Sequence, residues 1–420
     1  MREERHSFNV IIMAETEQFH TTCCIAGGGP AGMMLGLLLA RAGVDVIVLE
    51  KHADFFRDFR GDTIHPSTLE LLYELGYIDD FLKLPIQRAE RVGGTIGDCK
   101  FIAADFTHLP THCKFLALAP QWDFLNFIAD RAKKYPAFHL KLEHEVTDLI
   151  REGKRIVGVR AKTKQGTVEV IADLVVGADG RGSCVREASG LAVTDLGAPF
   201  DVLWMRVSRK PEDSEQSLGN FRSGRGLVTI NRKEYWQCGY LIPKGSLEEL
   251  KKKGLAELQK EIAESAPFLR EQVGELDSWD KIKLLTVQIN HLDRWHLPGL
   301  LCIGDAAHAM SPMGGVGVNL AIQDAVAAAN ILAARLREKT VTEELLTRVQ
   351  ERREWPVKMT QRLQVFMQNK FLLPVLESHV RLATPWPVKL LANFPIFRRI
   401  PARIIGMGFR PEHVRTPEIK

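Results

Sequence analysis

The chain has 420 residues, 45% of them apolar and 26% charged, with a formal net charge of only +4. That length suffices for a large core divided between two regions, and the near balance of charge gives no basis for a nucleic-acid partner. No apolar run approaches the roughly 20 residues of a membrane-crossing helix, and seven unevenly spaced cysteines suit neither a disulfide framework nor a zinc cluster.

Residues 1–20 read as a disordered lead-in without a secretory cleavage pattern, and the cysteine usage fits a reducing, cytoplasmic setting. Thr22 to Ala26, with Cys23 and Cys24 as small buried residues, predicts a short strand. Gly27-Gly28-Gly29-Pro30-Ala31-Gly32 follows at once, and then a helical pattern to Ala42. Gly27, Gly29 and Gly32 supply the G-x-G-x-x-G spacing of a dinucleotide site. The first permits a tight turn, the second lets backbone approach a pyrophosphate, and the third lets the helix pack closely on the sheet. Pro30 and Ala31 open that helix, whose free N–H groups face the phosphates. Val44 to Leu49 reads as a second buried strand. Glu50 closes it 18 residues after Gly32, where a carboxylate can accept the ribose hydroxyls of an adenosine, with Lys51 beside it. The plain alternative is a solvated carboxylate at a strand end.

Further along stand Arg60-Gly61-Asp62 and Gln121, the latter at the start of a helical pattern. Alternating apolar segments recur at Cys99–Phe106, Asp201–Val207, Gly226–Ile230, Tyr235–Ile242 and Lys281–Ile289, and predict a mainly antiparallel sheet. An apolar strand from Ala172 runs into Asp179-Gly180, followed by Ser183 and Arg186. A last block, Gly299 to Asn319, carries Gly304-Asp305, His308, Pro312, Gly314-Gly315 and Gly317-Val318-Asn319 ahead of a small-residue helix. The C-terminal part is basic, with eleven Lys or Arg against three Glu from Trp355 onward, and reads as helices broken by prolines. No H-E-x-x-H, paired C-x-x-C or G-x-S-x-G pattern occurs, so neither a metal site nor a serine nucleophile is expected.

At the blocks around Gly27, Asp179 and Asp305, from about Thr22 to Leu336, the chain resembles the para-hydroxybenzoate hydroxylase family of single-component flavoprotein monooxygenases. The resemblance implies an α/β fold in which a Rossmann-type FAD domain (21–87, 108–190 and 291–340) is interrupted by a mainly antiparallel β-sheet substrate domain (88–107 and 191–290). A helical C-terminal region (341–420) completes it. It implies that Asp305 binds the ribityl chain of FAD, with Gly304 leaving room, and that Pro312 lies beside the isoalloxazine ring. Gly314, Gly315 and Gly317 would turn under its edge, with Val318 and Asn319 opening the next helix. Asp179 and Gly180 would support FAD and an incoming NADH or NADPH, or else form a structural turn in which Arg186 pairs with Asp179. Arg60 and Gln121 would contact the cofactor, or else be a surface ion-pair partner and a helix-start residue. His308 fits a structural hydrogen bond better than proton transfer.

Trp204, Met205, Trp236, Tyr240 and Gln288 are candidate substrate-pocket residues, with core packing as the alternative. The segment Trp236 to Pro243 departs from the Trp-x-Trp-x-Ile-Pro pattern of flavin-dependent halogenases, lacking its second Trp. The implied activity is hydroxylation of an aromatic or phenolic small molecule with NAD(P)H and dioxygen through a flavin C4a-hydroperoxide. No side chain is identified as catalytic, because the flavin carries the chemistry. The alternatives are a reductase or dehydrogenase of the same fold without oxygen insertion, and a non-enzymatic redox scaffold. A homodimer contact or a peripheral membrane contact is open to the basic C-terminal region.

Overall fold

In the computed structural model, residues 17–56, 63–213, 218–378, 380 and 382–419 are described. The opening strand spans Glu17–Ala26 and so begins four residues before Thr21, within the stretch read from sequence as a lead-in. Its first half is held by parallel pairing of Glu17 to Thr21 with Val168 to Ala172, which the short apolar pattern after Thr21 did not reveal.

The parallel sheet follows from buried β-branched and leucine-rich runs that carry apolar side chains on both faces. Its neighbours run in the order Leu300–Cys302, Thr167–Gly177, Glu17–Ala26, Val46–Glu50, Phe138–Leu142; His296–Leu297 pairs antiparallel with Leu300–Cys302, and the strands Arg155–Lys162 and Glu145–Glu152 extend the sheet antiparallel from Thr167–Gly177. Between the first two chain-order strands runs the helix Pro30–Arg41, buried from Ala31 to Ala40. Register decides what this sheet positions: Ala26 pairs with Gly177, and Gly177 with Cys302. Three glycine-and-aspartate turns, each starting one residue after those partners or two, therefore leave the same edge of the sheet side by side.

A second sheet has the order Lys283–Leu285, Phe200–Ser208, Tyr235–Pro243, Arg225–Asn231, Leu218–Arg222, Arg91–Ile96, Cys99–Asp105. All its pairings are antiparallel except Leu218–Arg222 on Arg91–Ile96. The expected long strand Lys281–Ile289 is only Lys283–Leu285, because Val287 leaves the ladder to donate its amide to Asp201.

The helix Gly317–Arg337 packs on Pro30–Arg41. The stretch Met313–Arg337 has the length and apolarity to cross a bilayer, yet 72% of its apolar window is buried inside the fold, as a core helix should be. Helices Glu343–Met367, Leu373–Glu377, Trp386–Asn393 and Arg399–Met407 follow. The expected helical character stops at Gly408, whose φ of +76° suits glycine, and residues 409–419 run back as an extended strap. That strap is tied to the first helix, with Arg41 donating to the Thr416 carbonyl at 2.8 Å and accepting the Ile419 amide at 2.9 Å.

Candidate active site

The first turn is shaped by three glycines with different reasons. Gly27 has φ +107°, and a Cβ there would stand 2.4 Å from the Ala178 carbonyl of the neighbouring turn. A Cβ on Gly32 would stand 2.0 Å from the Gly27 carbonyl, so this residue must be glycine for the helix to start where it does. Gly29 needs neither: its φ is −75°, and an added Cβ would meet nothing nearer than Ala178 O at 4.0 Å. What Gly29 preserves is open space at the N-terminus of a helix with no side-chain cap, which fits the pyrophosphate of a dinucleotide.

Glu50 is buried, with one carboxylate oxygen accepting the Gly28 amide at 3.0 Å and the other the His52 amide at 3.1 Å. Lys51 beside it is exposed, and Pro30 and Ala31 sit in the first turn of the helix. Gln121 is a buried first residue of the helix Gln121–Ala132, which packs on Pro30–Arg41. Arg60 lies outside the described residues.

Asp179 is turned inward. Burial pushes its carboxyl above the ordinary range, against the pull of the Ser183 hydroxyl and the Val185 amide, which both donate to it. Its oxygens are thereby occupied by its own turn, and Gly180, with φ +88°, makes that turn. Arg186 does not pair with Asp179 as the alternative reading had it; it donates to the carbonyls of Arg181, Asp305 and Ala306.

The residue missed in the sequence is Arg181. Its Nε donates to Asp305 Oδ2 at 3.0 Å and its Nη2 to the Met310 carbonyl at 3.3 Å, while its buried Nη1 has no partner among the described residues. An orphaned guanidinium N–H beside Asp305, at the edge where the turns meet, fits an oxygen-rich ligand such as the sugar-phosphate chain of a nucleotide. Only its adjacency to the Asp179-Gly180 turn signalled it in sequence. Gly304 also proves to have a second reason: a Cβ there would press on Ala31 and Ala321 at 3.2 and 3.1 Å, so it lets two core helices approach.

Beyond Pro312, Gly314 and Gly315 have φ of +77° and +63° and lead into the uncapped start of Gly317–Arg337. Asn319 locks this loop. Its Nδ2 donates to the Thr63 and Gly315 carbonyls, and its Oδ1 accepts from the His65 amide and the Thr68 hydroxyl. All four of its side-chain bonds thus go to the chain itself, so its part is to hold the loop, next to Val318. His308 is buried, with Nε2 2.6 Å from Asp324 Oδ2, a structural bond. Asp324 also receives Arg353 Nε at 2.9 Å, and Arg353 reaches Glu412 at 3.3 Å.

The second sheet presents two faces. Trp204 pairs with Gly239 and Val202 with Leu241, and this face packs toward Met313 of the loop. A Cβ on Gly239 would strike the Trp204 ring at 3.0 Å, so the glycine lets the indole lie flat. Met205, Trp236 and Tyr240 occupy the opposite face with Leu258 and Ile262 of the helix Leu255–Ser265. Trp236 Nε1 donates to Asp213 at 2.8 Å, and the Tyr240 hydroxyl donates to Glu261 at 2.6 Å. These three are core residues turned away from the loop, and of the pocket candidates only Trp204 faces it. Gln288 is exposed between buried Val287 and Ile289.

Comparisons with known proteins point to one family. A family model described as an FAD binding domain matches residues 20–363. Among curated relatives, the 6-methylpretetramide 4-monooxygenase of Streptomyces rimosus is 32% identical over 408 residues, covering 94% of each chain. The dialkyldecalin synthase of Streptomyces rugosporus is 28% identical over 73% of this chain, which spans only 63% of that relative's length. Among solved structures, the p-nitrophenol 4-monooxygenase PnpA of Pseudomonas putida superposes with a TM-score of 0.73 at 20% identity, covering 94% of this chain and all of that one.

Proposed function

Since the chain belongs to the FAD binding domain family, and is an FAD-dependent monooxygenase, we propose that it uses NADH or NADPH and dioxygen to hydroxylate a phenolic, multi-ring aromatic molecule. The single observation that best supports this reading is the register of Ala26, Gly177 and Cys302, which sends the three turns out of one sheet edge. The ring size rests on the name of the relative that matches nearly the whole chain.

Bound FAD supplies acceptance of hydride and activation of oxygen. The chain's own work is to bind, orient and keep water out. In this reading the helix start at Gly29–Pro30 holds the pyrophosphate, Glu50 the adenosine ribose, and Arg181 with Asp305 the ribityl chain. Asp179, Gly180 and Gly304 shape the turns behind them, and Gln121 flanks the cofactor. Pro312, Gly314 and Gly315 would cradle the ring system, and the uncapped N-terminus of Gly317–Arg337 would stabilise negative charge on it. Trp204 covers the site from the second sheet. The exposed Trp386, Phe394 and Ile396 of the basic C-terminal helices suit contact with a second copy or an anionic lipid surface.

Turnover with isotopically labelled dioxygen tests the reading. With NADH or NADPH and a panel of hydroxylated polycyclic aromatics, one labelled oxygen atom should enter the product, read by mass spectrometry. Consumption of the reduced nicotinamide with an unlabelled, merely reduced or dehydrogenated product would replace it with oxidoreduction lacking oxygen insertion.

A further inference from the structure

A cavity of about 280 Å³ lies between the C-terminal helix Arg399–Met407, the helix Glu343–Met367 and the start of Gly317–Arg337. It is close to the lower end of the roughly 300–1,000 Å³ typical of small-ligand sites. Its wall is mostly carbon, from residues such as Leu363, Met367, Ile404 and Phe409, and one end is the Met313–Gly314 turn of the flavin loop. Two polar side chains in this lining, His65 and Gln323, are buried and incompletely bonded.

His65 lies at the start of the helix Pro66–Glu74 and is fully buried. Its Nδ1 stands 2.7 Å from the Ile405 carbonyl, which can only accept, so Nδ1 carries the hydrogen. Burial lowers the ring's pKa from 6.5 to about 4, which keeps it neutral. Nε2 is then a bare acceptor, and it has no partner among the described residues. Gln323 is the complement. Its Oε1 accepts the Glu412 amide, which fixes the side chain and leaves Nε2 as a buried donor, likewise without a partner. An acceptor and a donor left unmet in a carbon-lined cavity are each unfavourable until a ligand meets them.

We propose that this cavity binds the ring system of a multi-ring aromatic substrate, with His65 Nε2 accepting a hydrogen bond from a phenolic hydroxyl and Gln323 Nε2 donating to a ring carbonyl. The proposal rests on the reading given under Proposed function and deepens it, by assigning the substrate to a pocket walled by the C-terminal segment. The Met313–Gly314 turn is common to this cavity and to the cradle assigned to the flavin, so a ligand here lies against the cofactor's loop. The C-terminal helix and the strap that follows it then have a direct role: Ile405 sets the tautomer of His65, and Glu412 orients Gln323.

The test uses the FAD-loaded protein and three probes, 2-hydroxyanthraquinone, its methyl ether and anthraquinone, with binding followed by ligand absorbance and flavin content by its own spectrum. The hydroxy compound should bind about tenfold more tightly than the ether. His65→Phe should abolish that difference, and His65→Gln, which returns an acceptor, should restore it in part. Ile404→Trp, which fills the cavity from a half-buried position, should weaken all three probes at least about tenfold with flavin content unchanged. Flavin-loaded protein that fails to bind the probes, or binds them equally well with Trp at position 404, would overturn the pocket. Equal preference for hydroxyl over ether in wild type and His65→Phe would overturn the role of His65. Protein that takes up no FAD would instead sink the reading beneath both.

Discussion

Gly29 and Gly32 lie three residues apart in one motif, yet the structure gives them separate duties. A Cβ at Gly32 collides with the Gly27 carbonyl, so Gly32→Ala should lower stability by about 1–3 kcal/mol in chemical denaturation. Gly29→Ala meets no such obstacle and should leave stability within about 0.5 kcal/mol while weakening FAD about tenfold or more, read by flavin fluorescence. The tryptophans separate in the same way. Trp236 is fully buried on the helix-backed face, and Trp236→Ala should cost about 3–5 kcal/mol of stability. Trp204→Ala should cost less stability, because its ring is only partly buried on the loop side. Equal stability losses for the two would contradict the assignment of faces. At this scale the glycine pattern was legible because each turn is local in sequence. Arg181, His65 and Gln323 were not, since the partners that define them lie 89 or more residues away: Asp305, Ile405 and Glu412.

Strands and helices were readable where a period was strong, and misread where packing from outside decided. Alternation showed that the strand Tyr235–Pro243 has two faces, but not that the helix Leu255–Ser265 would cover the face holding Trp236 and Tyr240. The buried chain His308–Asp324–Arg353–Glu412 was equally silent, because each member is one polar residue in its own element. It joins the short strand His308–Ala309 to the core helix, to Glu343–Met367 and to the C-terminal strap. Burial opposes the charge on Asp324, yet His308 and Arg353 hold its carboxyl below its ordinary 3.8. A folded value below the unfolded one means stability that is complete above about pH 4 and is lost as the pH falls through the folded value. Asp324→Asn removes one of the two buried counter-charges of Arg353, Glu412 being the other, and should cost about 1.5–3 kcal/mol near neutrality. The same variant should flatten the dependence of stability on pH in the acid range, measured by urea denaturation across a pH series. An unchanged acid slope would remove Asp324 from that role.

Over the whole molecule, fold class and cofactor were legible because three motifs, each local, sit in a fixed order along the chain. Their meeting at Ala26, Gly177 and Cys302 is a matter of strand register, which no single motif contains. The route of the C-terminal strap was hidden for the same reason, since Thr416 and Ile419 are anchored to Arg41 at the far end of the sequence. Titration of folded, flavin-free protein with FAD tests the convergence most directly. The account predicts one FAD bound per chain, a shift of the flavin spectrum on binding, and loss of both in Asp305→Ala and Arg181→Ala with the circular dichroism unchanged. Folded wild-type protein that leaves added FAD free in solution would contradict it.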